Sequence, residues 1–287
     1  MNPCTQPQAR NLAVDTHAHI FAATLALAPD ARHAPAYDAT LTHYLGLLDA
    51  PGITYGVLTA PSFLGTDTRH LLVGLARAGG RLRGTVIVEP EVSLEALRTY
   101  AAHGVAGIRL NLYRRADRDV PDLASPEYRR LFERCGELDW HVEIYGEGPR
   151  LARWLPALLT TGVKVVVDHF GSPDPGLGTE CPGFRYILSA LPGGRLWVKL
   201  SAPYRVGGAE RAKRYAAELL RAGSSRRLVW GSDWPWTQNE AGRSYAQCLS
   251  WLDDWVPDAA QRREILGATA MALFGFERDA VSAQTQS

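Results

Sequence analysis

Short runs of β-branched and apolar residues recur along the chain, and each ends in a small or functional residue before a stretch of helical periodicity. Eight such runs read as strands: Leu12–His17, Ile53–Ala60, Leu82–Glu89, Val105–Leu112, Trp140–Gly146, Lys164–Phe170, Arg195–Ser201 and Arg227–Asp233. Between them lie amphipathic stretches such as TLTHYLGLLDA, SLEALRTYAAHG and SPEYRRLFERCGEL. Several open on Ser or Pro and close on Gly, as capped helices do. Gly79, Gly80, Gly104, Gly136 and Gly162 mark the expected returns from helix to strand.

Strands that are hydrophobic on both sides and alternate with helices point to a parallel sheet covered on both faces. An open doubly wound sheet that holds a nucleotide would carry GxGxxG after its first strand, and VDTHAHIF has no such glycines. The expectation is therefore a single-domain α/β protein, a (β/α)8 barrel over residues 12–276. Residues 1–11 are expected to form an N-terminal extension and 277–287 a polar, frayed tail.

Composition narrows the function classes. The chain has 287 residues, 46% of them apolar, which supplies a large core. A net charge of +1 argues against nucleic acid or an anionic membrane as the partner. Cys4, Cys135, Cys181 and Cys248 are widely spaced and form no CxxC pair, so they read as reduced thiols, buried in helices for Cys135 and Cys248. The stretch MNPCTQPQAR lacks the apolar core of a signal peptide, so none is expected, and no run approaches the ~20 apolar residues of a membrane span. A soluble, cytoplasmic protein is expected.

In such a barrel the chemistry sits where strands end. His17 and His19, Arg109 and Asn111, Tyr145, His169, Ser201 and Asp233 all fall at strand tips. By strict alternation Asp15, His17 and His19 share one face of the first strand. An HxH pair alone is a weak signal, and a lone aspartate often only caps a helix. HxH on strand one, DHFG on strand six and GSDWP on strand eight together are hard to assign to packing.

These motifs resemble the amidohydrolase superfamily, in its amidohydrolase-2 branch, over nearly the whole chain from Val14 to Phe276. The resemblance implies a hydrolase on a (β/α)8 barrel. In many members the HxH histidines, a histidine ending strand five and the strand-eight aspartate hold a divalent metal that activates water. Here strand five ends in Tyr145, and His141 lies about 13 Å down the strand at ~3.3 Å per residue. No lysine ends strand four to carry a bridging carbamate. The departure resembles the metal-independent lactonases of the branch. They share a strand-five tyrosine, paired arginines after strand four, here Arg109 and Arg115, and an arginine in KLSAPYR, here Arg205. Ser62 and Tyr37 resemble substrate-contacting residues of that group, whereas Trp236 stands where a polar residue is usual.

The expected activity is hydrolysis of an anionic, carboxylated lactone of the pyrone-dicarboxylate or muconolactone kind, in the breakdown of aromatic compounds and without cofactor. Asp233 is then the general base and His17, His19 and His169 stabilise the carbonyl oxygen. Arg109, Arg115, Arg205, Tyr145, Ser62 and Tyr37 bind substrate, since a neutral ligand would strand three desolvated cations. Glu143 and Lys199 read as a buried structural pair, and Trp230 as packing. Two alternatives stand beside this reading. One is a hydrolase or non-oxidative decarboxylase using one Zn or Mn ion on His17, His19 and Asp233. The other is a non-catalytic protein that binds acidic ligands and has no use for Asp233.

Overall fold

The computed structural model describes residues 12–276, so the N-terminal extension, Cys4 and the polar tail lie outside the described residues. Eight parallel strands form one sheet in sequence order. They are β1 Val14–Ala18, β2 Tyr55–Thr59, β3 Leu82–Val86, β4 Val105–Asn111, β5 His141–Tyr145, β6 Lys164–Val167, β7 Leu196–Leu200 and β8 Leu228–Trp230. The helices are α1 Leu41–Asp49, α2 Arg69–Arg77, α3 Leu94–Ala102, α4 Pro126–Glu137, α5 Gly148–Leu159, α6 Pro182–Ala190, α7 Ala209–Gly223, α8 Tyr245–Trp255, α9 Ala259–Leu266 and α10 Ala268–Phe274. Backbone bonds from His19 N to Trp234 O (2.8 Å) and from Asp233 N to His17 O (2.9 Å) join the end of β1 to the chain leaving β8 and close the circle. This is the expected (β/α)8 barrel. No helix among the described residues is long and apolar enough to cross a membrane.

Local chemistry sets the boundaries. Thr40, Ser93 and Ser125 accept from the third backbone N–H onward and so fix the starts of α1, α3 and α4. The return after α4 differs from expectation: Gly136 stays inside the helix, and Asp139 at φ +56° makes the turn. Strands six and eight are shorter than the hydrophobic pattern suggested. His169 and Phe170 adopt φ +49° and +58°, and Asp233 +58°, which ends the ladder before these side chains. Two of the candidate catalytic residues thus sit on strained backbone, a state that needs a surrounding structure to hold it.

The barrel interior is layered. Val14, Val57, Val166 and Val229 fill its lower end with Trp197, and Phe274 of α10 plugs it from below. A polar layer of His17, Glu143, Asp168 and Lys199 lies above, entirely buried. Outside the strands, Leu58, Val142, Ile144 and Val198 pack against the helices, as do Cys135 and Cys248.

One expectation about β1 fails. The pairing of β1 with β2 shifts register between Asp15 and Ala18, so alternation is broken there. Val14 and His17 both point inward, while Asp15 turns to the helix layer. Its carboxylate accepts from Ser232 N (2.8 Å), Ser232 Oγ (2.6 Å) and Tyr245 OH of α8 (3.0 Å). Asp15 therefore anchors the loop that carries Asp233 rather than facing the cavity.

Candidate active site

Asp233 lies at the C-terminal mouth and is buried to 1% exposure. Its Oδ2 accepts from Tyr204 OH (2.6 Å) and Arg205 Nε (3.1 Å), both delivered by the turn after β7. Its Oδ1 accepts no hydrogen bond among the described residues. It faces His17 Nε2 at 3.5 Å and His169 Nε2 at 3.7 Å. Burial alone would raise this carboxyl's pKa, but Arg205, His169 and His17 outweigh burial and hold it far below the usual carboxylate range. Asp233 is ionised at every ordinary pH.

The three histidines are neutral. Burial lowers His19, with help from Arg109, and His169 to about 4, and burial with Lys199 takes His17 well below its ordinary value. They differ in what they offer. His19 Nδ1 sits 2.7 Å from Thr59 O, which can only accept, so the proton is on Nδ1 and Nε2 presents a lone pair. The expectation that all three histidines donate to a carbonyl oxygen fails for His19 in this state. His169 Nδ1 meets Ser201 Oγ at 2.8 Å, leaving Nε2 toward Asp233.

Under these groups lies a buried charge network. Lys199 contacts Glu143 Oε2, His17 Nδ1 (3.0 Å) and Asp168 Oδ1 (3.3 Å). Arg109 reaches Glu143 Oε1 (3.3 Å), Asp168 Oδ2 (3.2 Å) and the Ala60 carbonyl (3.1 Å). Burial and the nearby Asp168 raise Glu143, whereas Asp168 is brought well below its ordinary value by Lys199 and His17 against its own burial. The pair foreseen as structural is buried as expected, and it also touches a candidate catalytic ring. His141 lies beneath, bonded to Thr85 Oγ1 at 3.2 Å and too deep to join the site.

The cavity over Asp233 is about 150 Å³ and is lined by His19, Ser62, Arg109, His169, Arg205 and Asp233, together with Arg32, His33, Asn111 and Arg114. A larger cavity of about 510 Å³ lies at the opposite end of the barrel, against Leu82, Val105, Trp140 and Phe274. It lacks any such constellation, so chemistry rather than size places the site. Tyr145 borders the site through its ring, 4.9 Å from that of His169 and 5.9 Å from the Arg109 guanidinium. Arg115 lines a neighbouring groove that shares Ser62 and Asn111. Tyr37 gives its hydroxyl to Glu240 (2.8 Å), and Trp236 donates to Ser232 O (3.1 Å) without lining the cavity. Trp230 is fully buried packing.

The expected three cations awaiting a substrate charge are not found. Each of the three arginines already has a carboxylate: Arg109 has Glu143 and Asp168, Arg115 has Asp30 at 3.1 Å, and Arg205 has Asp233. Of the four arginines that line the cavity, Arg32 and Arg114 form no ion pair among the described residues, and neither was among the expected substrate-binding residues. Arg32 donates to Asn111 Oδ1 (3.3 Å), and Arg114 lies over the Tyr113 ring at 5.3 Å. Tyr204 was also missed, although it adjoins Arg205 in KLSAPYR.

Among the described residues two sets of donor atoms come within 4.8 Å of one another, His17, His169 and Asp233 at the cavity and His17, Glu143 and Asp168 in the charge network beneath; neither contains His19. A cation placed at the first would lie beside the Arg205 guanidinium, which already holds the same carboxylate.

Residues 14–276 match the family model described as amidohydrolase. Over 268 residues, 91% of this chain and 88% of the relative, the sequence is 27% identical to a 4-sulfomuconolactone hydrolase of Hydrogenophaga intermedia. It is 30% identical to a 2-pyrone-4,6-dicarboxylate hydrolase of Comamonas testosteroni over 240 residues, 78% of this chain and 76% of that one. A crystal structure from Pseudomonas putida, given the working description of a 2-pyrone-4,6-dicarboxylic acid hydrolase, superposes with a TM-score of 0.86 at 42% identity. That match covers 94% of this chain and 99% of the other.

Proposed function

The chain belongs to the amidohydrolase family, and from that premise we propose that it hydrolyses an anionic lactone, carboxylated or sulfonated, without a metal ion. The observation that carries the reading is the free Oδ1 of Asp233, which faces a cavity lined by Arg32, Arg109, Arg114 and Arg205 and by no second carboxylate. Guanidinium groups suit carboxylates and sulfonates, and the named relatives act on lactones that carry one or the other.

Asp233 Oδ1 takes a proton from a water in the cavity while the water oxygen bonds to the lactone carbonyl carbon. The carbonyl electrons move onto oxygen beside His17 and His169, with the Arg109 charge behind them. Collapse of this intermediate breaks the bond to the ring oxygen, which takes the proton back from Asp233. His19, with its lone pair toward the cavity, orients the water. Tyr204 and Arg205 hold the other oxygen of Asp233 and so aim the first. A carboxyl held so far down is a weak base on its own. A substrate anion that draws on the Arg205 charge weakens that hold and makes Asp233 more basic when the lactone is bound.

The donor set suits a metal poorly, because Arg205 competes for Asp233 and strand five offers Tyr145 where a third nitrogen would be needed. The reaction belongs to aromatic-compound breakdown in the cytoplasm on this reading. The test is a screen of dicarboxylated, sulfonated and uncharged lactones followed by ultraviolet absorbance. Anionic lactones should turn over best, and Arg32→Gln or Arg114→Gln should raise KM for them alone. A preference for uncharged lactones, unmoved by those substitutions, would refute the proposal.

A further inference from the structure

We propose that Lys199 is a positioning residue that fixes the single proton of the His17 ring on Nε2, which makes His17 a hydrogen-bond donor to the substrate and closes it to a metal ion. The inference rests on the lactonase reading for its purpose, but its geometry stands apart from it.

Lys199 is fully buried on β7, and its ammonium has three N–H bonds and no lone pair. Three acceptors surround it: Glu143 Oε2, His17 Nδ1 at 3.0 Å and Asp168 Oδ1 at 3.3 Å. At 3.0 Å from an ammonium, Nδ1 must present its lone pair. The rival arrangement would place a proton on Nδ1 and send it to Asp168 Oδ1 at 3.4 Å or Glu143 Oε1 at 3.6 Å. Two N–H groups would then face each other across 3.0 Å. The shorter contact and the donor-only chemistry of Lys199 decide against it. A second proton on the ring is opposed by burial and by the same ammonium.

A neutral imidazole has one N–H, so it lies on Nε2. That atom is buried and has no hydrogen-bond partner among the described residues. It lies 3.5 Å from Oδ1 of Asp233, which lines the cavity. An unpartnered buried donor is costly, and a substrate carbonyl oxygen arriving there would satisfy it. To bind a metal, Nε2 would need its lone pair, with the proton moved to an Nδ1 that the ammonium already occupies. The HxH pair is thereby split. His19 has the arrangement of a metal ligand, Nδ1–H on a backbone carbonyl, but lies outside both groups of converging donor atoms. His17 lies inside both with its lone pair engaged.

Long-range proton–nitrogen correlation spectra of the whole protein, labelled with ¹⁵N-histidine, read the ring protons directly. The signal of His17 is identified by its loss in His17→Gln. The expected result near neutral pH is a neutral ring protonated at Nε2; protonation at Nδ1, or at both nitrogens, overturns the proposal. As a second arm, Lys199→Met combined with Glu143→Gln removes one charge of each sign from the network. In that protein the Nε2–H signature of His17 should be lost. Zn²⁺ affinity by calorimetry should rise by about 10–100-fold, the size of effect expected from an outer-shell partner. A folded double variant with unchanged tautomer and unchanged Zn²⁺ affinity also overturns it. Neither arm requires turnover, so failure to hydrolyse any lactone would sink the proposed function and leave this inference to its own result.

Discussion

Replacing Asp233 by Asn separates chemistry from binding. The amide keeps the shape, and its oxygen can still accept from Tyr204 and Arg205, which now donate at 2.6 and 3.1 Å. The NH₂ group then occupies the place of Oδ1, where it donates and cannot take a proton from water. Loss of a general base costs typically ~10²–10⁴-fold in rate, so kcat should fall by that factor. Arg205 loses its ion pair, and breaking a fully buried pair costs about 3–5 kcal/mol. Here the Arg205 side chain keeps 19% of its surface in solvent and lines the cavity, so the cost should fall below that range. The freed guanidinium should also hold a substrate anion more tightly, so KM, or the Kd of an anionic product, should stay level or fall. Stopped assays of lactone opening, calorimetric titration of the ligand and a thermal melt measure the three effects. Activity within tenfold of the unmodified protein, or a large rise in KM with kcat unchanged, would refute the assignment of Asp233 as the base.

Other expectations follow from the same geometry. Tyr204→Phe removes a charge-assisted bond worth about 1.5–3 kcal/mol, and kcat should drop by roughly tenfold or more with KM little changed; an unaltered kcat would show that Tyr204 does not aim Asp233. Gly231→Ala would place a methyl group 2.6 Å from His17 Cβ and 3.0 Å from its backbone N, so it should displace β1 and lower both Tm and kcat. Stability should fall with acid: His17, His19, His141 and His169 are neutral in the fold with lowered pKa, so the unfolded chain takes up their protons first. Their contribution is complete above the ordinary value of 6.5 and is lost as pH falls toward 4. Glu143, raised in the fold, works the opposite way and offsets about one of the four, leaving a slope of up to about 4 kcal/mol per pH unit. Urea unfolding between pH 7 and pH 4.5 should show it, and a flat profile would mean these rings are already protonated in the fold.

The barrel could be read from the sequence because its strands are buried on both faces and its turns carry distinct residues. The same pattern placed Asp233, His169 and the HxH pair at one mouth. Failures arose where a local irregularity or a distant loop decides. The register shift in β1 turns Asp15 outward, and no periodicity signals a bulge. Left-handed backbone at His169 and Asp233 ends two strands early and swings those side chains over the cavity. Arg32 comes from a loop whose approach to Asn111 depends on the closed barrel, and Arg114 is turned by left-handed backbone (φ +56°) that no periodicity signals. Lys199 and Glu143 were recognised as inward partners by alternation, yet their reach to His17 required knowing how β1, β5 and β7 face one another.

Metal-free hydrolysis by Asp233 is tested by turnover after metal removal. The protein is dialysed against a strong chelator, its metal content is measured, and opening of the best anionic lactone is followed in metal-free buffer. Activity equal to that before dialysis, with metal content far below one ion per chain, is the predicted result. Activity that disappears on chelation and returns with Zn²⁺ or Mn²⁺ would contradict it.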